Sequence, residues 1–437
     1  MRQVEIVIEK LANGGAGFGR CDGKACFVPY TAPGDIARIC TTSEKSSYAE
    51  GELIELITPS NLRIKPPCPV FGVCGGCNWQ HVEYSSQLRE KHQIFTDLLW
   101  RSARIPPESV MPVLPAPVPY GYRSRVQLKV HRLAGKIQLG FYRPKSHQVI
   151  DIPGQCAISH KNINEVIERL RPLLDGCPDA ANLHQLDVAR GDDERISIVF
   201  NYTGGSINAL SHYLLQWKAH QDQIGSLFIR HKKGTSKIFG DDQLSYRIPE
   251  NTVPKLAELT LSFSQGAFSQ VNYEQNLQLI QVVAEFAALS GKEKVLDLYC
   301  GNGNFSLPLA HQAAQVFGYE GFRPSLLDAK KNTARNGVSN AFYHCSDAAE
   351  AVKKLAVAGE TFHVVVLDPP RGGAAETVPH LKALEAEKIV YVSCDPATLA
   401  RDLKILKNNG FEVKKCQGVD MFPQTYHLES VTLLTRV

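Results

Sequence analysis

The stretch Lys294-Val295-Leu296-Asp297-Leu298-Tyr299-Cys300-Gly301-Asn302-Gly303-Asn304-Phe305 decides how the last third of this chain folds. An apolar run rich in β-formers ends in an acid, a pair of glycines comes after it, and a helical pattern (NFSLPLAHQAA) is next. That is a strand, a tight loop and a helix. The same rhythm repeats: QVFGYE, then RPSLLDAKKNTARN, AFYHC, AAEAVKKLAV, HVVVLDPP, KIVYVSC and PATLARDLKILKNNG, with FEVKKCQ and LESVTLLTRV as final strands. Alternating strands and helices predict a doubly wound parallel sheet whose ligands lie at the carboxyl ends of its strands.

The glycine spacing is GxGxF, which does not meet the GxGxxG fingerprint for a dinucleotide. Glu320 ends the second strand, where an acid can accept hydrogen bonds from ribose hydroxyls. The acid, the glycine loop and the second acid together resemble the class I S-adenosylmethionine-dependent methyltransferases. On that resemblance Asp347, after the third strand, lies near the adenine, and Asp368, after the fourth, near the methionine end.

Ser393-Cys394-Asp395-Pro396 comes directly after the strand KIVYV and opens a helix. A cysteine there stands in the ligand crevice, and the positive end of the helix dipole is expected to favour its thiolate. A methyl transfer to C5 of uracil needs such a group. The carbon is too weakly nucleophilic alone, and thiolate addition at C6 builds an enolate that enriches C5. A base must then remove the C5 proton.

LDLYCGNGNFS, LDPPRGG, VSCDPATLARDL and FPQTYHLE are similar, motif by motif and in order, to the RNA uracil-5-methyltransferase family. The resemblance implies Cys394 as nucleophile, Glu429 as base, and cofactor contacts at Gln270 (in FSQVN), Tyr299, Asn304, Glu320, Asp347 and Asp368. Exocyclic-amine methylases resemble Asp-Pro-Pro followed by an aromatic; here Arg371 holds that place. RNA cytosine-5-methyltransferases carry a further cysteine after the fourth strand, and LDPPRGG has none.

Twelve cysteines occur in the chain. Cys68, Cys74 and Cys77 stand within CPVFGVCGGC, and no second CxxC pair accompanies them, so a [4Fe–4S] cluster is favoured over zinc. Cys156 is the expected fourth ligand, ahead of Cys40 and Cys177. The large-ribosomal-RNA branch of the family implies the same cluster.

The first 58 residues read as short strands with glycine turns, an OB-like barrel resembling the TRAM domain. Residues 59–265 read as an α+β middle domain carrying the cluster, with a proline-rich linker over 107–119, and residues 266–437 as the methyltransferase domain. Tyr120–Lys129 and Phe141–Lys145 interleave aromatics with cations, as single-stranded RNA binding uses.

The chain has 437 residues, 43% of them hydrophobic and 21% charged, with a net charge of +4. This describes a soluble protein, mildly basic and compatible with a polyanion. The start, MRQVEIVIEK, alternates too regularly for a signal-peptide core, and no apolar run suits a membrane span. A cytoplasmic enzyme without membrane or obligate protein partners is expected. The barrel and the cysteine cluster set it apart from the transfer-RNA branch, which is expected to lack both, and point to 23S ribosomal RNA. A transfer-RNA uracil-5-methyltransferase is one alternative. Another is an RNA-binding iron–sulfur protein with an inactive methyltransferase domain, which intact Cys394, Glu429 and glycine loop disfavour.

Overall fold

The computed structural model describes residues 2–133, 135–177 and 179–437. At the amino end, β1 (Gln3–Leu11), β2 (Gly17–Cys21), β3 (Lys24–Val28), β4 (Ile36–Glu44) and β5 (Tyr48–Thr58) close into a barrel in the order β1-β2-β3-β5-β4. Period-two alternation turns Ile6 and Ile8 inward onto Cys26, Val28 and Ile39. Fully buried Asp35 fastens the barrel to the segment after β5: it accepts from the amides of Ala32 and Ser60 and from the Arg63 guanidinium.

Helix α1 (Tyr84–Ala103) and strand β6 (Val110–Leu114) come next. The central sheet holds β7 (Arg125–Leu133), β8 (Lys136–Tyr142), β9 (Val149–Asp151), β10 (Leu183–Arg190), β11 (Ile196–Tyr202), β12 (Ile224–His231) and β13 (Gly234–Gly240), with α2 (Lys161–Gly176) and α3 (Asn208–Lys218) in the connections. Its order is β13-β12-β11-β10-β7-β8-β9, antiparallel except for β11 beside β12. Val166, Ile167, Leu170 and Leu174 of α2 recur at helical spacing and pack with Leu128, Val188, Ile198 and Phe200 of the sheet. A hairpin of β14 (Gln243–Ile248) and β15 (Leu259–Ser264) leads out of this domain.

The remaining elements are α4 (Tyr273–Ala287), β16 (Lys294–Leu298), α5 (Ser306–Ala310), β17 (Gln315–Glu320), α6 (Arg323–Arg335), β18 (Ala341–Cys345), α7 (Ala348–Val357), β19 (Val364–Leu367), β20 (Lys388–Ser393), α8 (Pro396–Asn408), β21 (Phe411–Val419) and β22 (Glu429–Arg436). They build an eight-stranded sheet in the order β18-β17-β16-β19-β20-β22-β21-β6. β16 to β20 run parallel, and β22 runs antiparallel to both its neighbours. The strand order reverses between β16 and β19, which opens a crevice at their carboxyl ends. Separate apolar cores cover the two faces.

Packing differs from the sequence-based partition at both ends of the middle segment. Phe95, Leu99, Ala103, Val110 and Val113 share a core with Leu403, Leu406 and Val413 of the carboxyl-terminal sheet layer. Residues 107–119 therefore include an edge strand, β6, beside β21, where a linker was expected. Proline at 112 is tolerated because an edge strand leaves one side unpaired. Leu259 and Leu261 of β15 likewise join the carboxyl-terminal core.

Candidate active site

The carboxyl ends of β16, β17, β18, β19 and β20 carry the residues of the crevice. After β16, Tyr299 adopts a left-handed backbone (φ +62°), and Gly301 (+56°) and Gly303 (+93°) continue the curl. A non-glycine residue held there marks a conformation enforced by its surroundings. The Tyr299 hydroxyl is anchored on Thr377 Oγ1 at 2.9 Å. Glu320, at the end of β17, accepts from Gly301 N (3.0 Å) and Phe322 N (2.6 Å), so it is tied to the glycine loop. Asp347, after β18, is exposed and caps α7 by accepting from the amides of Ala349 and Glu350. Asn304 is fixed by three bonds: its Oδ1 accepts from the Tyr246 hydroxyl and from Asn276, each at 2.9 Å, and its own amide donates to Asn276. Gln270 lines a neighbouring cavity of about 440 Å³ together with Tyr246 and Asn276.

Beneath this loop Asp297 is wholly buried; its Oδ2 takes the Ser306 hydroxyl and its Oδ1 has no partner. Burial pushes its pKa up to about 7, helped by the charges of Asp368 and Glu320.

Cys394 and Glu429 stand side by side. Ser393 of β20 pairs with Ser430 of β22, so the next position along brings the thiol against the carboxyl group. Asp368, after β19, is close enough to act on both. Glu429 is buried, and its pKa is raised well above the ordinary range, first by burial and then by Asp368. Asp368 is raised as well, by the loss of water around it.

The helix N-terminus does not lower the Cys394 pKa, contrary to the expectation. Asp395, not Cys394, is the N-cap of α8, and its carboxylate takes the amides of Ala397 and Thr398. Burial and the charges of Glu429 and Asp368 push the thiol's pKa up to about 12 against the pull of Arg371 and of its own backbone amide. Burial and two nearby carboxylates outweigh a dipole whose free amides are already satisfied.

The side chains of Cys68, Cys74, Cys77 and Cys156 converge on one cavity of about 250 Å³, also lined by Arg371, Phe422, Thr425 and His427. Gly75 is required there, since a Cβ would sit 2.8 Å from the carbonyl oxygen of Tyr142. Burial raises the thiols of Cys68, Cys74 (to about 11) and Cys77 (to about 12), and the neighbouring cysteines add to it. Cys40 lies in the barrel wall and Cys177 in the middle-domain core, so neither lines this cavity. Among the described residues, no group of three or more His, Cys, Asp or Glu side chains stands close enough to hold a metal ion. The four thiols converge on one cavity without the spacing that a single metal ion requires.

The tRNA (Uracil-5-)-methyltransferase family matches residues 83–437, and the TRAM domain matches residues 2–54. The chain belongs to the tRNA (uracil-5-)-methyltransferase family. An uncharacterized RNA methyltransferase of Halalkalibacterium halodurans is 35% identical, the alignment covering 99% of this chain and 96% of that protein. The 23S rRNA (uracil(1939)-C(5))-methyltransferase RlmD of Photobacterium profundum is 33% identical, covering 99% of this chain and 93% of its own. Among solved structures, the Pyrococcus abyssi tRNA (uracil-54, C5)-methyltransferase in complex with S-adenosyl-L-homocysteine superposes with a TM-score of 0.75 at 27% identity, over 99% of both chains. That last likeness corrects one expectation. A transfer-RNA enzyme spans the whole of this chain, so overall architecture does not separate ribosomal from transfer-RNA substrates.

Tyr122, read as a possible stacking platform, is buried against Cys77 and Ile158, and its hydroxyl donates to Pro423 O at 3.1 Å. It is a core residue. Arg143 and Lys145 are exposed, and Tyr142 stacks under the Lys129 ammonium. Sequence reading missed Tyr246 and Asn276, which hold Asn304, because neither lies in a recognisable motif. It also missed the Lys91–Asp420 pair, whose partners are separated by more than three hundred positions.

Among the described residues, no helix is long and apolar enough to cross a membrane.

Proposed function

We propose that this protein transfers the methyl group of S-adenosylmethionine to C5 of a specific uridine in 23S ribosomal RNA, in the cytoplasm. The observation that carries this reading is the meeting of Cys394, Glu429 and Asp368 at the crevice ends of β19, β20 and β22, beside the Tyr299–Asn304 loop.

In this reading Glu320 and Asp347 face the nucleoside of the donor, while Gln270, Tyr299, Asn304 and Asp368 surround its methionine end. The Cys394 thiol gives its proton to solvent, its sulfur adds to C6 of the uracil, and the C5–C6 π electrons move to the C4 oxygen. C5 then attacks the methyl carbon as the carbon–sulfur bond of the donor breaks, releasing S-adenosylhomocysteine. Glu429 takes the C5 proton, the ring electrons return, and the thiolate leaves. Burial and mutual repulsion disfavour the ionised forms of Cys394, Glu429 and Asp368, and the positive sulfonium of the bound donor would favour them. A uridine within folded RNA must leave its stack to reach this depth. The barrel, with the exposed Arg143 and Lys145, would hold the surrounding strand.

Cys68, Cys74, Cys77 and Cys156 are the residues that would hold a [4Fe–4S] cluster. Four iron and four sulfide ions span more than a single ion does, so cluster thiolates stand further apart than the ligands of one metal. The convergence of four thiols on one cavity fits that group. It would supply a compact cross-link for the cavity wall, and no step of the methyl transfer runs through it.

A transfer-RNA uridine is the second reading, favoured by the full-length likeness to the Pyrococcus enzyme. Mass mapping of 5-methyluridine in both RNA classes, from cells with and without the gene, separates them. Loss of a mark from 23S RNA alone supports the first reading, and loss from transfer RNA alone supports the second.

A further inference from the structure

The segment between β21 and β22, residues 420–428, leads directly into Glu429 and has no regular secondary structure. It is nonetheless held at almost every residue. Asn272 Nδ2 donates to Met421 O (3.2 Å) and the Tyr122 hydroxyl to Pro423 O. The amides of Asn78 and Trp79, immediately after Cys77, both donate to Gln424 O, at 3.0 and 3.1 Å. Gln424 sits at φ +69°, and its side chain and amide pair with Gln87 of α1 at 3.0 and 3.1 Å.

The strongest of these ties is ionic. Lys91 Nζ of α1 donates to Asp420 Oδ1 at 2.5 Å and to Phe422 O at 3.1 Å, and the Tyr84 hydroxyl donates to Asp420 Oδ2 at 2.8 Å. Both charged side chains are 0% exposed, which no other ion pair among the described residues matches. A fully buried pair adds little net stability over apolar residues of the same size, because desolvation offsets the attraction. What such a pair does supply is a definite geometry, since either charge alone would be unpaired in a medium that cannot solvate it.

We infer that Lys91 is a positioning residue for removal of the C5 proton: through Asp420 and the Phe422 carbonyl it fixes the segment that sets Glu429 against the substrate. Lys91 and Asp420 make no hydrogen bond to Cys394 or to the Tyr299–Asn304 loop, whereas Asp420 opens the turn between Val419 and its ladder partner Glu429. Loosening the segment therefore slows the last step selectively. Addition and methyl transfer continue, and the methylated adduct between Cys394 and C6 waits for its base. This rests on the reading of Glu429 as that base.

The test uses the full-length protein, methyl-labelled S-adenosylmethionine and a 23S RNA fragment, with labelled protein–RNA adduct counted on a denaturing gel. Lys91→Met combined with Asp420→Asn removes both charges and leaves an acceptor for Tyr84. The double variant is expected to hold about tenfold more labelled adduct than the parent, as a modest misplacement of a reacting group produces. Its single-turnover methyl transfer should stay within a few-fold of the parent. A folded double variant with parental adduct levels, or one that loses adduct and methyl transfer together, overturns the inference. Glu429→Gln is the control: if it accumulates no adduct, the base itself is misassigned, and the inference falls for that separate reason. Tyr84→Phe, which removes one hydroxyl, should shift adduct the same way by a smaller factor. If the double variant does not fold, an unchanged adduct level in Tyr84→Phe decides against the clamp.

Discussion

The ionisation of Cys394 can be read directly by alkylation. Its pKa is pushed up from 9.0 to about 12 by burial, Glu429 and Asp368. At pH 8 an ordinary thiol is about one-tenth thiolate, whereas a thiol at about 12 is ionised roughly once in ten thousand molecules. A more basic thiolate is also a better nucleophile, and with a Brønsted slope of about 0.45 this returns roughly twentyfold. Iodoacetamide should thus modify Cys394 about fiftyfold more slowly than free cysteine at pH 8, measured by mass spectrometry of its peptide. Access to a half-buried thiol slows the rate further, but it does not change the slope with pH. That slope should be tenfold per unit up to at least pH 10. Glu429→Gln should speed the reaction, and Arg371→Ala should slow it, because Arg371 is the charge that favours the thiolate. A sulfonium charge at about 6 Å and an effective dielectric near 20 is worth roughly 3 kcal/mol, two powers of ten in ionisation. S-adenosylmethionine should therefore accelerate alkylation relative to neutral S-adenosylhomocysteine, which blocks access equally. A rate that levels off below pH 8, or equal effects of the two compounds, would refute the reasoning.

Other outcomes rest on the same geometry. Tyr246→Phe removes one of the two donors on Asn304 Oδ1, and a net hydrogen-bond value of about 1 kcal/mol gives roughly a fivefold rise in Kd for the donor by calorimetry, with RNA affinity unchanged. Asp395→Ala removes the cap of α8 and should cost about 1 kcal/mol in denaturant unfolding. Cys156→Ser should abolish the brown absorbance and lower the iron content of anaerobically purified protein; a colourless parent with bound zinc would contradict the cluster assignment.

Much of the fold was legible because each signal was local. Period-two runs in the first 58 residues and strand–helix alternation after Lys294 carry their own geometry, and they form a closed barrel and the parallel part of the large sheet. Strand ends are also local, so the positions of Cys394, Asp368 and Glu320 at the crevice follow from the pattern. What the sequence hid was contact between distant segments. β6 lies among prolines and becomes a strand only because β21 offers it an edge. Tyr122 looks like a base-stacking residue until Pro423 and Cys77 are seen around it. The Cys394 pKa was misjudged for the same reason. The helix that favours thiolate is visible in Cys394-Asp395-Pro396, but the carboxylates that oppose it come from β19 and β22. Lys91 and Asp420 are unremarkable in sequence, and only the fold makes them partners.

The most direct test of the central claim is the covalent bond itself. An RNA substrate carrying 5-fluorouridine at the target can accept the thiolate and the methyl group, but it has no C5 proton for Glu429 to remove. Nuclease and protease digestion followed by mass spectrometry should then find one peptide, the one containing Cys394, joined to a methylated fluorouridine. Methylation of the natural RNA without any such adduct, or an adduct on another of the twelve cysteines, would contradict the mechanism.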